Sequence, residues 1–222
     1  MVRLIYSLAV SCVLVCGLSA VADEDSVEKR LSAAKAAYEA KMDKLRKAVG
    51  EAFDAREQAA RKEGNKTLLD QIKVDRKAFD EEEVLPSPLP RPLQAGLAAA
   101  RAGMEAAYKQ AVKQHVQARN DELADGAAKA LTAFQLATYD FNGSWQIAHS
   151  SGWRGARQVR GKQIIDIGGT RVAWKQDGSA ITVTWPNQRW ERLEINLADP
   201  DKLTGVNIDG LSVTWTRSKQ RR

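Results

Sequence analysis

Tryptophan divides this chain. None occurs between Asp23 and Asp140, and all six (Trp145, Trp153, Trp174, Trp185, Trp190 and Trp215) follow Phe141. The first stretch is rich in Ala, Lys, Glu and Leu, which favour helix; in the second, Gly and β-branched residues rise with the indoles, which favours strand and turn. Charge divides at the same place. Residues 23–140 carry 20 basic and 21 acidic side chains, residues 141–222 carry 13 and 7, and the net +6 of the chain therefore belongs to the second stretch. At 44% hydrophobic and 28% charged, the chain is neither disordered throughout nor a polytopic membrane protein. The expected class is α+β: antiparallel helical hairpins or a coiled coil, then a small antiparallel β-barrel-like meander.

In the first stretch, Val27, Leu31, Ala34, Tyr38, Met42, Leu45, Val49 and Phe53 recur in steps of three or four. That is one face of a helix from about Ser26 to Lys62, ended by Gly64-Asn65. A second helix fits Thr67 to Glu83. Pro86, Pro88, Pro90 and Pro92 then predict an extended connector. A third helix fits Leu93 to Arg119. A fourth, separate or continuous with it, fits Asp121 to Ala137. Ala36-Ala37-Tyr38 and Ala106-Ala107-Tyr108 echo each other 70 positions apart, which suggests two related hairpins in a slender bundle. Small residues bury little area each, so self-association through the helices is expected to add stability. His115, lacking obvious partners, is expected at a helix surface or interface.

Beyond Asp140 the period becomes two. Ile181, Val183 and Trp185 alternate with threonines; Leu193, Ile195 and Leu197 alternate with Glu194 and Asn196; Leu211, Val213 and Trp215 alternate with Ser212 and Thr214. Gly168-Gly169, Asp177-Gly178, Pro186-Asn187 and Asp209-Gly210 separate the runs as turns. Seven or eight short strands follow, and a domain this small solves its edges by closing or nearly closing a barrel. Parity puts Trp145, Trp174, Trp185 and Trp215 in the core. Trp190 is out of phase with Leu193, Ile195 and Leu197. Trp153 lies in the loop Ser150-Ser151-Gly152-Trp153-Arg154-Gly155.

The N-terminus predicts export. Arg3 is followed by an apolar run from Leu4 to Leu18, then by Ser19-Ala20-Val21-Ala22, a small-residue cleavage site, and by acidic Asp23-Glu24-Asp25. A retained anchor is the alternative, since the run to Ala22 reaches the lower edge of a span, about 17–25 residues. Cleavage would leave no transmembrane span. Cys12 and Cys16 both lie in this run, so the remainder has no disulfide, no Cys-ligated metal and no catalytic thiol. The expected divisions are residues 1–22 as signal peptide, 23–140 as helical domain, 141–217 as β domain and 218–222 as basic tail.

Catalytic signatures are missing from the sequence: there is no Gly-x-Ser-x-Gly, no His-Glu-x-x-His and no phosphate loop. His149-Ser150-Ser151 sets a base beside hydroxyls, but sequence neighbours rarely converge as catalytic groups must. Exposed indoles beside arginines instead suggest binding. A ring face stacks on a sugar or base, and a guanidinium holds an anion in a planar fork. Trp153, Arg154, Arg157, Arg189, Trp190 and Arg192 are the candidate ligand-binding residues. No catalytic residue, metal ligand or cofactor is expected.

With those residues identified, the chain resembles a group of exported proteins from planctomycete-type bacteria. The likeness rests on Ala36-Ala37-Tyr38, the turn Gly64-Asn65 with Leu68-Leu69, the stretch Phe79 to Pro86, Ala107-Tyr108-Lys109, and a β pattern from Gly143-Ser144-Trp145 through Thr184-Trp185-Pro186 to Val213-Thr214-Trp215. It implies Ala/Lys/Glu-rich helical hairpins before a compact β domain, and implies no activity or site residues. The expected function is a non-enzymatic, exported scaffold or binding protein, a helical stalk presenting a β module to a glycan or a polyanionic envelope polymer. Specific nucleic-acid binding is not expected. A barrel holding a lipid or metabolite in a void lined by Trp145, Trp174 and Trp215 is the alternative. A hydrolase, which would need polar groups converging in one cleft, is a third reading.

Overall fold

The computed structural model describes residues 16–82, 85–86, 89–166 and 168–218. Most of the expected signal segment and of the basic tail lies outside them. Among the described residues four helices, α1 (Cys16–Lys62), α2 (Lys66–Glu82), α3 (Arg91–Gln117) and α4 (Asp121–Ala137), precede eight strands. Local chemistry sets these boundaries. Asn65 and Asn120 stand just before α2 and α4, and each Oδ1 accepts the backbone N–H three residues on, from Leu68 at 3.0 Å and Leu123 at 3.3 Å. Asn120 thereby separates α4 from α3. Pro92, expected in the connector, lies in the first turn of α3, where a missing N–H costs nothing. None of the helices among the described residues is long and apolar enough to cross a membrane.

The chain divides into two compact units. In the first, Val27 and Leu31 of α1 pack with Ala111 and Val112 of α3 and Ala127 of α4. Of the two places expected for His115, the structure gives the interface: it is 4% exposed and continues the buried stripe Ala100, Met104, Tyr108, Ala111. In the second unit, Val49, Phe53 and Ala60 of α1 pack with Leu69, Ile72 and Phe79 of α2. That unit also holds the strands.

The strands are β1 (Gly143–His149), β2 (Arg154–Arg160), β3 (Gln163–Asp166), β4 (Arg171–Asp177), β5 (Ala180–Thr184), β6 (Trp190–Ile195), β7 (Lys202–Asn207) and β8 (Ser212–Arg217). Each pairs antiparallel with the next, and β8 returns to β1, closing the barrel. Closure removes both edges, and the inward positions form one core: Trp145, Ile147, Val159, Ile164, Val172, Ile181, Val183, Leu193, Leu203, Val213 and Trp215.

One end of the barrel is plugged. Phe141 places its ring 5.2 Å from Trp145, 5.0 Å from Trp174 and 5.6 Å from Trp215. The three indoles that would line an interior void are packed on this ring instead. Arg217 closes the same end, stacked 4.4 Å over Trp145 and donating to the carbonyls of Asp140 and Asn142 and to Asp201. Tyr139 donates its hydroxyl to Pro200 O at 2.6 Å, and burial pushes its phenol up to about 12. The raised value means that the stabilisation is present below the unfolded phenol's pKa near 10 and is lost as pH rises from 10 towards 12. Tyr139→Phe is expected to cost about 1 kcal/mol in urea unfolding at neutral pH and to flatten that alkaline loss.

Candidate functional site

The opposite end carries the turns β1–β2, β3–β4, β5–β6 and β7–β8, and it is open. A recess of about 270 Å³ lies there, lined by His149, Ser151, Trp153, Trp185, Arg189, Trp190, Glu191, Asn207, Asp209 and Leu211. Period two explains how polar side chains reach it. His149 follows Trp145 and Ile147 on the inward side of β1, Glu191 precedes Leu193 and Ile195 on the inward side of β6, and Asn207 follows Leu203 on β7. Each stands where its strand leaves the core.

Turn chemistry shapes the rim. Asn207 Oδ1 accepts the N–H groups of Asp209 at 3.0 Å and Leu211 at 2.9 Å, folding the β7–β8 turn back on itself. Arg189 Nη2 donates to Asp209 Oδ2 across the mouth. Trp153 is 43% exposed, yet its ring folds over Gly155, where a Cβ would stand 2.4 Å from Trp153 Cη2. Only glycine leaves room for the indole. The same ring lies edge-on to His149, with centroids 4.7 Å apart.

Arg157 points inward on β2 and is sandwiched, its guanidinium 5.3 Å from the Trp153 ring and 4.9 Å from that of Trp185. Burial pushes it below its ordinary range, with Asp166 and Glu191 opposing. At the floor, Glu191 is 5% exposed and its Oε2 accepts from Trp215 Nε1 at 2.8 Å. Its Oε1 stands 3.8 Å from His149 Nε2, beyond hydrogen-bond reach, and that nitrogen is buried with no hydrogen bond.

Of the six residues singled out from sequence, Trp153, Arg189 and Trp190 line the recess and Arg157 supports two of its walls. Arg154 is exposed at the start of β2, and Arg192 is exposed on the outer face of β6, 3.9 Å from Glu194. Neither belongs to the recess. Sequence reasoning missed His149, Trp185, Glu191, Asn207 and Asp209. For Glu191 a signal existed: it shares the parity of Leu193 and Ile195, which marks it as inward. Polar groups do converge here. However, Asn207 holds a turn and Asp209 holds Arg189, leaving His149 and Glu191 with capacity to spare. Among the described residues no three His, Cys, Asp or Glu side chains form a group able to hold a metal ion.

An antiparallel β-barrel with an aromatic, polar-floored mouth is therefore the class of domain that the chain carries. No known protein family and no curated protein matches the sequence. Among solved structures it is similar to a redesigned β-barrel, 17% identical with a TM-score of 0.25, over 38% of this chain and 96% of that one.

Proposed function

We propose that this is an exported, non-enzymatic binding protein in which the helices act as a spacer, able to self-associate, and the barrel mouth binds a glycan. The observation that carries the reading is the recess itself, where Trp153, Trp185 and Trp190 meet the planar polar groups of Glu191, His149 and Arg189. Indole faces offer an apolar platform for the C–H face of a sugar ring, and planar polar side chains match its hydroxyls. A recess of about 270 Å³ falls just short of the 300–1,000 Å³ usual for pockets that engulf a ligand. That size suits one ring at the end or edge of a chain and argues against an enclosed lipid. The packed core points the same way.

The test is titration of the purified protein with laminari-, cello- and chito-oligosaccharides and with heparin, at low and high salt, following tryptophan fluorescence. Trp153→Ala and Trp190→Ala should each weaken binding by about 1–3 kcal/mol, as losing a stacked ring does. Binding to heparin that fades with salt would instead favour the polyanion reading through the arginines. Failure to bind any glycan, or unchanged affinity in both variants, would sink the proposal. Release of shortened oligosaccharides would make the protein an enzyme.

A further inference from the structure

We infer that Glu191 and His149 together read a hydroxyl of the ligand, so that the site selects uncharged sugars over uronates and sulfated sugars. This rests on the glycan reading and narrows it. Two polar atoms at the floor of the recess have hydrogen-bonding capacity to spare, and one of them, His149 Nε2, is fully buried. Glu191 Oε2 is occupied by Trp215 Nε1, but Oε1 makes no hydrogen bond with a described residue. His149 Nε2 is buried and makes none either. A buried polar atom left without a partner carries a cost that a bound hydroxyl would relieve. The 3.8 Å between them is too long for a bond. It is short enough for one oxygen to lie within about 3 Å of both, off the line that joins them.

A hydroxyl fits this gap in both senses. It donates its proton to the Glu191 carboxylate and accepts from His149 when Nε2 carries the hydrogen. A ligand carboxylate or sulfate offers acceptors alone and meets Glu191 with like charge. Of the cations that would draw an anion, Arg189 is tied to Asp209, and Arg157 is packed between two indoles with its Nε buried and without a hydrogen bond, out of a ligand's reach. Among the charged lining residues, Glu191 has the His149 imidazole 3.8 Å away, whereas Arg189 and Asp209 are joined to each other.

Trp153 covers the pair. Its ring rests against the His149 imidazole and over the bare Cα of Gly155. A sugar that brings a hydroxyl to His149 must take the place of part of that ring or lift it. The same indole is then available as the stacking face. Recognition thus couples a hydroxyl at the floor to an aromatic at the rim.

The experiment compares wild type with Glu191→Gln and His149→Phe, using laminari-, cello- and chito-oligosaccharides against trigalacturonate and heparin at low salt. Glutamine keeps an acceptor for Trp215 while removing the charge. Both variants should bind the best neutral oligosaccharide at least tenfold more weakly. Glu191→Gln should also narrow the preference for neutral over uronate, a change of ratio that general loosening of the barrel would not produce. Thermal unfolding checks integrity; if Glu191→Gln unfolds, His149→Phe and the wild-type preference decide. Neutral glycans bound equally by the folded variants, or trigalacturonate or heparin bound more tightly than neutral sugars by wild type, would overturn this inference and leave the glycan reading standing. No binding to any of the five removes both.

Discussion

Trp215→Ala should unfold most of the barrel at body temperature. The indole is 0% exposed, faces Phe141 at 5.6 Å and Trp145 at 6.3 Å, and lies between Leu203 and Ile147 across the two neighbouring strands. Removing a buried aromatic ring of this size costs about 3–5 kcal/mol in transfer and cavity energy. A second loss adds to it. Trp215 Nε1 is the donor to the buried Glu191 carboxylate, and stranding that oxygen costs about 1–3 kcal/mol more. The sum rivals the whole stability of an ordinary domain, about 5–15 kcal/mol. Every tryptophan lies past Phe141, so tryptophan fluorescence in urea follows the barrel without contribution from the helical stretch. Trp215→Phe, which keeps one aromatic ring in the core but loses the rest of the indole together with its N–H, should recover part of the deficit. A loss below about 1 kcal/mol for Trp215→Ala would show that the barrel core is not what holds this domain together.

Gly205→Ala is the second large effect, and its cause is backbone, not side chain. A Cβ at Gly205 would stand 1.9 Å from Arg192 O and 2.8 Å from Leu193 Cα on the adjacent strand. No rotamer change clears those atoms. Residue 205 sits opposite Leu193 in the β6–β7 pairing, where close strand approach lets the sheet turn a corner. A methyl group there must push β6 from β7, and a barrel parted at one seam regains two raw edges. The expected cost is at the upper end of about 1–3 kcal/mol for overpacking, or above it. Urea unfolding reads the stability, and size-exclusion chromatography reads the association that free edges promote. Wild-type behaviour in both would mean that β6 and β7 part easily enough to admit a methyl group.

The helix ends and caps were legible because their causes are local, whereas the start of α1 was not: the helix begins at Cys16, upstream of the expected Ser26. Gly64-Asn65 and Asn120 stop one helix and cap the next within a few residues, and Asp121–Ala137 falls where the periodicity puts it. The barrel was legible for a related reason: alternation and turn pairs specify short antiparallel strands, and a small sheet of eight must close to bury one face. The mouth was legible only in part. Trp185 has the parity of a core residue, yet it stands at the strand's exit, stacked on Arg157 and lining the recess. Arg157 follows a loop in sequence, yet it is an inward strand residue with its charge half-buried. Glu191 sits among Arg189, Trp190 and Arg192 and looks like part of a solvated cluster; its parity alone sends it to the floor.

Sequence alone settled what the described segments become: helix up to Ala137, strand from Gly143, with Trp145 and Trp215 inside. Those outcomes depend on neighbours within one helical turn or one strand pair. What the tertiary structure decided is which residues meet. His149 ends the first strand and Glu191 is the second residue of the sixth, and nothing local sets 3.8 Å between them. Closure of the barrel does, because returning β8 to β1 fixes the stagger of all eight strands at once and so brings two distant strand ends to the same rim.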